Sequence, residues 1–240
     1  IDLTYEEIEA EWNKMLQTVP QIGKFRIIHQ EKKRYTFEDY SSQIGNADAA
    51  LGIWVHKGVI NEKLFEAHPN LKYIAMLGHG FEDFDVEMTR RRGVTITNTI
   101  YGDVTIAQYA MALLMNICHN VTVQSDYTKT GYWKEKETNP QASYNQLFVP
   151  QIELYQKTMG IIIDEEALLE ALESRKVYMA GLDVVANEPP QYQIPLMQSP
   201  YTFITSHIAW QPKAARLRAV DLAVKNFRSY LEGMPTSVIN

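Results

Sequence analysis

Lys72-Tyr73-Ile74-Ala75-Met76-Leu77 runs into the turn Gly78-His79-Gly80, then into Asp85-Val86-Glu87-Met88-Thr89-Arg90-Arg91-Arg92-Gly93 and Val94-Thr95-Ile96-Thr97-Asn98. The first and last of these are short apolar runs bounded by turn residues, which predicts strands. Asp85 to Arg92 reads as a helix that Gly93 ends in the C-terminal capping role. The order strand, turn, helix, strand predicts a βαβ unit in a parallel sheet.

The same alternation extends outward. Upstream, Lys24 to His29 is a candidate strand. Ala49 to Val55 is a second, leading into the polar turn His56-Lys57-Gly58, and Asn61 to Ala67 reads as a helix before Pro69. Downstream, a long apolar helix is predicted from Val104 to His119, with Asp103 or Thr105 as its N-cap. Its Ile106, Tyr109, Ala110, Leu113, Leu114 and Ile117 cover more than one face, so burial between two bodies is expected. Residues 129–150 are polar and aromatic without a clear period, which reads as a loop or arm. The last helix runs from Pro212, at its first position, to Gly233, with Leu217, Val220, Val224, Phe227 and Leu231 on one stripe.

A chain of 240 residues with 45% apolar content has ample material for one large domain or two small ones. The formal charge of −6, with both signs interspersed, argues against a nucleic-acid partner. The aromatic residues around Trp133 are therefore read as packing for an arm. No run of about 18 apolar residues is present, so no membrane span is predicted, and nothing resembles a signal peptide. Cys118 is the single cysteine, so no internal disulfide forms, and a reducing, cytoplasmic setting is expected. Neither Cys118 nor His119 has neighbours at metal-ligand spacing. The chain begins at Ile1, so further residues are expected ahead of it.

Chemistry concentrates in Gly181-Leu182-Asp183-Val184-Val185-Ala186-Asn187-Glu188-Pro189-Pro190 and Thr205-Ser206-His207-Ile208-Ala209-Trp210. His207 follows an apolar strand, and Glu188 is an acid able to orient it. That pairing suits general acid/base work on a small polar substrate, because imidazole titrates near neutral pH. The structural alternatives are a strand-end His satisfied by backbone and a solvated Glu. Asp183 ends a strand, where a simple cap is the plain reading. Gly78, His79 and Gly80 suit a backbone nest for an anion, against an ordinary strand-to-helix turn. Lys57 either adds positive charge there or is solvated. Trp210 either walls a pocket beside His207 or packs on the last helix.

One expected feature is missing. Lys157 to Ile162 looks like a strand about to enter a nucleotide-binding turn, yet Asp164-Glu165-Glu166 and a helix from Ala167 to Ser174 follow in place of glycines. An acidic first turn suits a helix N-terminus and repels a pyrophosphate.

Together with these stretches, Leu77-Gly78-His79-Gly80-Phe81-Glu82-Asp83-Phe84-Asp85, Thr97-Asn98-Thr99, Ala107-Gln108-Tyr109-Ala110, Gly131-Tyr132-Trp133, Glu153 to Gly160 and Ile163 to Leu168 occur in order over most of the chain. In this the sequence resembles the D-isomer-specific 2-hydroxyacid dehydrogenases, the group containing glycerate dehydrogenase and hydroxypyruvate reductase. The resemblance implies an α/β fold: a flavodoxin-like or Rossmann-like parallel-sheet substrate lobe (residues 1–99 and 208–240) plus an incomplete second Rossmann lobe (100–207), interrupted near 160–163. It places the active site between the lobes.

It further implies that His207 exchanges a proton with the substrate's carbonyl oxygen and that Glu188 hydrogen-bonds it and keeps it charged. Asp183 would contact the nicotinamide end of NAD or NADP. The Gly78–Gly80 backbone would hold the substrate carboxylate, with His79, unusual there, offering a side-chain contact. The family's Gly-x-Gly-x-x-Gly turn and catalytic Arg have no counterpart, a gap of about eighty to ninety residues, the size of a βαβαβ half. The implied partners are a small 2-oxo or 2-hydroxy acid and a second copy of the chain, paired near the long helix. A shortened, non-catalytic carboxylate-binding or scaffold protein on the same lobe is the alternative.

Overall fold

A computed structural model describes residues 3–29, 35–53, 58–81, 84–132, 149–160, 164–188, 190 and 193–240. The chain divides into two compact units: residues 1–103 with 210–240, and residues 104–209.

The first unit is built on three parallel strands in the order β1 (Ala49–Ile53), β2 (Tyr73–Met76), β3 (Thr95–Thr97). Fully buried β2 alternates its side chains between two apolar layers. Tyr73 and Ala75 pack with Ala223 and Phe227 on α9 (Lys213–Leu231) and with Trp12 on α1 (Tyr5–Leu16). Ile74 and Met76 pack on the other face with Tyr40 and Ile44 of α2 (Phe37–Ile44), Leu64 and Phe65 of α3 (Glu62–Ala67), and Met88 of α4 (Val86–Arg91). The result is a sheet between helical layers. Gly52, at φ +89°, takes the extra position where the β1–β2 register shifts between Leu51 and Ile53.

Caps begin the helices as their sequences dictate. Thr4 and Thr36 form capping boxes with Glu7 and Asp39, and Asn61 and Asp85 cap α3 and α4. The C-terminal segment closes the free edge of β3: Val238 bridges Thr97, and the Ile239 N–H donates to the Ile96 carbonyl at 3.0 Å.

The second unit holds α5 (Asp103–His119, whose first residue lies in the other unit), α6 (Val121–Tyr127), α7 (Glu165–Glu173), β4 (Ala180–Leu182), α8 (Pro195–Gln198) and β5 (Thr202–Ile204). β4 and β5 pair in parallel, Ala180 opposite Thr202 and Leu182 opposite Ile204. Leu168, Leu172, Ala180 and Leu196 form its core.

Several sequence expectations need correction. Lys24–His29 is not a strand: it has no backbone partner strand among the described residues, and Phe25 and Ile28 stand exposed. Lys157–Gly160 is likewise irregular and exposed, without a partner strand among the described residues. Pro212 is the N-cap of α9. On α9 the buried stripe contains Val220, Val224 and Phe227 but is completed by Ala215, Ala219 and Ala223; Leu217 is only half-buried. Helix α5 buries only Thr105, Ile117 and Cys118, whereas Val104, Ile106, Met111 and Met115 are exposed. Its apolar residues wrap round the helix, so the described residues can cover just one side. Lys57, Trp133 and Ile161–Ile163 lie outside the described residues. Among those described, no helix is long and apolar enough to cross a membrane, and no three His, Cys, Asp or Glu converge to hold a metal ion.

Candidate active site

Parallel pairing of β4 and β5 sets Asp183 beside the turn Thr205-Ser206-His207. The Asp183 carbonyl accepts from the His207 N–H at 2.8 Å. Its carboxylate takes three donors from the same turn. Thr205 Oγ1 and the Ile208 N–H reach Oδ1 at 2.5 and 3.0 Å, and the Ala209 N–H reaches Oδ2 at 2.8 Å. These bonds hold His207 at φ +55°. A left-handed backbone costs a non-glycine residue about 1–2 kcal/mol, so this geometry needs such a clamp.

The clamped turn presents the imidazole to Glu188. His207 Nδ1 lies 2.6 Å from Glu188 Oε2, while Glu188 Oε1 accepts from the Val185 N–H at 2.8 Å. The carboxylate is thus fixed by its own loop before it meets the ring. With Nδ1–H directed at Glu188, Nε2 has no partner among the described residues, and 55% of the His207 side chain is exposed. The arrangement is an oriented imidazole with one nitrogen free to give or take a proton.

In the first unit, the loop after β2 is shaped by the end of β3. The Gly78 carbonyl accepts from the Thr99 N–H at 3.1 Å, and the His79 carbonyl from Asn98 Nδ2 at 2.8 Å. In a planar trans peptide the following N–H points opposite to the carbonyl. The His79 and Gly80 N–H groups therefore point away from β3, and neither meets an acceptor among the described residues. Two adjacent outward N–H groups make a small anion nest. The His79 ring stands edge-on to Tyr101 at 5.9 Å, and its Nε2 accepts from the Gly102 N–H at 3.5 Å. Trp210 packs against Tyr101, Ala215 and Ala219, which is the helix-packing alternative.

A dinucleotide does not fit the described residues near Asp164. Asp164 caps α7 itself, accepting from the Ala167 N–H at 2.8 Å, and Glu165 accepts from the Ala186 N–H at 2.5 Å. Asp164 thus takes the Ala167 N–H, and the acidic first turn of Glu165 and Glu166 disfavours a pyrophosphate there. A Cβ added at Gly160 would meet nothing within 4 Å, so that glycine shapes no close-fitting cradle. Asp183, offered by the sequence as a nicotinamide contact, spends both carboxylate oxygens on its own turn. Sequence reasoning did not find that clamp or the Asn98 contact. Its only written signals are an Asp ending one strand and an Asn within Thr97-Asn98-Thr99 ending another.

Parallel strands packed against helices define an α/β protein of Rossmann-like type. The chain belongs to the D-isomer specific 2-hydroxyacid dehydrogenase family, whose catalytic-domain model matches residues 3–240. It is 26% identical to the hydroxypyruvate reductase of Blautia hydrogenotrophica, covering 89% of this chain and 91% of that protein. It is 21% identical to the glyoxylate reductase of Thermofilum pendens, covering 89% and 88%. Among solved structures, the NADPH-dependent glyoxylate/hydroxypyruvate reductase of Sinorhizobium meliloti in complex with citrate matches with a TM-score of 0.66 and 19% identity, over 94% of each chain. An acyclic imino acid reductase in complex with NADPH and D-Arg matches with a TM-score of 0.68 and 14% identity, over 95% of each chain. These likenesses confirm the Rossmann-like fold.

The alignments also size the gap. The Blautia alignment runs over 302 positions, of which 89% of this 240-residue chain supplies about 214, so about 88 are occupied by the relative alone. The same arithmetic on the 301 positions of the Thermofilum alignment leaves about 87. Each figure is a total over the whole alignment.

Proposed function

We infer that this chain is an oxidoreductase of the type that moves hydride between NAD or NADP and a small 2-oxo or 2-hydroxy acid of the hydroxypyruvate, glyoxylate or pyruvate class. One observation carries the reading: the 2.6 Å contact from His207 Nδ1 to Glu188 Oε2, which leaves Nε2 as the only free ring nitrogen. In the reductive direction the Nε2 proton passes to the substrate's carbonyl oxygen, and the Glu188 carboxylate faces the imidazolium. In the oxidative direction Nε2 takes the hydroxyl proton. The outward N–H groups of His79 and Gly80 receive the carboxylate, with Lys57 as an added positive charge. The proton half is what this chain's own residues account for, since no pyrophosphate cradle is found among those described.

The reading is supported by family membership and by relatives named for hydroxypyruvate and glyoxylate reduction. The test is turnover of glyoxylate, hydroxypyruvate and pyruvate with NADH and NADPH, with the purified protein and its His207→Gln variant. Removing a general acid/base lowers turnover by about 10²–10⁴, with coenzyme affinity little changed. Equal losses in turnover and coenzyme affinity would contradict the assigned role.

The self-capped Asp164 turn favours a second reading, a non-catalytic carboxylate-binding or scaffold protein. No turnover, together with no fluorescence change on titration with NADH, would establish it over the first. A homodimer and a cytoplasmic setting belong to the same proposal. The exposed Val104, Ile106, Met111 and Met115 of α5 support pairing there, and a monomer in light scattering would remove it.

A further inference from the structure

We propose that Asn98, held in turn by Asn226, is a positioning residue that locks the carboxylate-binding loop; this rests on the reading of Gly78–Gly80 given above. Gly80 lets the backbone approach an anion closely, but a peptide bond joined to glycine is also free to flip. If the His79–Gly80 peptide turned over, the Gly80 N–H would point inward and the His79 carbonyl would face the incoming carboxylate. The nest would then repel its ligand.

Asn98 prevents this. Its Nδ2 donates to the His79 carbonyl at 2.8 Å, and its backbone N–H donates to the Ser237 carbonyl at 3.2 Å. Its own carbonyl accepts from Asn226 Nδ2 at 2.8 Å, and Asn226 Oδ1 accepts from Thr236 Oγ1 at 3.2 Å. Both amide side chains sit in residues that are more than nine-tenths buried. Buried amides are expensive unless fully paired, and an apolar pair would fill this space more cheaply. What the amides provide is direction. The relay runs from the C-terminal segment through α9 and the end of β3, and finishes on the one carbonyl whose orientation sets the Gly80 N–H.

The test uses the full chain and pyruvate as the probe. In the wild-type protein without ligand, the Gly80 amide has an ordered backbone, with an order parameter of about 0.85, and its proton resonance shifts on adding pyruvate. Asn98→Ala lowers the order parameter at Gly80 and weakens pyruvate binding by roughly five- to tenfold, the loss expected for one directing hydrogen bond. Asn226→Ala gives a smaller loss, and the double variant is no worse than Asn98→Ala, because one relay serves both. Unchanged order and affinity in Asn98→Ala, or additive losses in the double variant, would overturn the proposal. If Asn98→Ala does not fold, an order parameter below about 0.6 at Gly80 in the wild-type protein would overturn it as well. Absence of any pyruvate binding by a wild-type protein with an ordered Gly80 would instead refute the carboxylate reading and leave the lock in place.

Discussion

Replacing Asp183 by alanine tests whether the clamp, and not the strand end itself, sets the geometry of His207. The substitution removes the acceptor for Thr205 Oγ1, the Ile208 N–H and the Ala209 N–H, and spares only the bond from the His207 N–H to the residue 183 carbonyl. Hydrogen bonds to a charged acceptor contribute about 1.5–3 kcal/mol when buried, and Asp183 is half-buried, so about 1 kcal/mol each is the appropriate scale. Three such bonds amount to about 3 kcal/mol. Against them stands the strain of about 1–2 kcal/mol in the left-handed His207 backbone, which one remaining hydrogen bond barely offsets. The turn therefore opens. Amide exchange at Ile208 and Ala209 is expected to accelerate by about two orders of magnitude, since each 1.4 kcal/mol is tenfold, with Leu168 and Leu172 still protected. Turnover falls with it, because Nδ1 is no longer held on Glu188. Exchange within about threefold of wild type would refute the clamp. Asp183→Asn separates this role from coenzyme contact: it keeps one acceptor oxygen but turns an amide N–H₂ toward backbone donors, so exchange rises to an intermediate level. A loss of coenzyme affinity with exchange unchanged would assign Asp183 to the nicotinamide instead.

Two further substitutions probe packing within each unit. In Gly181→Ala the added methyl lies 3.0 Å from Leu113 Cβ and 3.2 Å from Ile117 Cδ1, so α5 must shift off β4; urea unfolding should show a loss of about 1–3 kcal/mol, and an unchanged midpoint would mean that helix and strand do not pack as described. Asp221 on α9 is held above its ordinary range by burial first and then by a hydrogen bond with Glu11, and its Oδ1 is buried without a partner. Because the folded state raises this affinity for the proton, the stabilising contribution is present at acid pH and lost as pH rises through the folded value. Asp221→Asn should therefore be more stable than wild type at pH 7, with the difference vanishing in acid; a larger advantage in acid would reverse the sign and defeat the argument.

How much was legible in the sequence follows from which contacts are local. The strand–helix–strand order from Lys72 to Asn98 was readable because periodicity, the Asp85 cap and Gly93 all lie within a few residues of what they specify. Lys24–His29 and Lys157–Gly160 have the composition of strands but no partner strand among the described residues, and composition carries no information about pairing. The alanines of α9 were missed because small residues mark close helix–sheet approach only once the facing Tyr73 is in place. The pairing of His207 with Glu188 was visible as a pattern, yet the reason it holds was not. Asp183 reaches residues 205–209 across a strand pair, and Asn226 reaches Asn98 from another element.

Those same contacts explain how His207 and the loop Gly78–Gly80 each keep their geometry. Every bond that orients His207 arises between residues 183 and 209, and every bond that orients the Gly80 N–H comes from β3, α9 and the C-terminal segment. The Glu188 loop is tied in addition to the Asp164 turn, where the Ala186 N–H donates to Glu165 Oε1. The geometry of His207 and that of the Gly80 N–H are each held by contacts within one unit, so each can be followed on this chain by NMR. At the start of α7 the Ala167 N–H is taken by the Asp164 carboxylate and is not free for an anion.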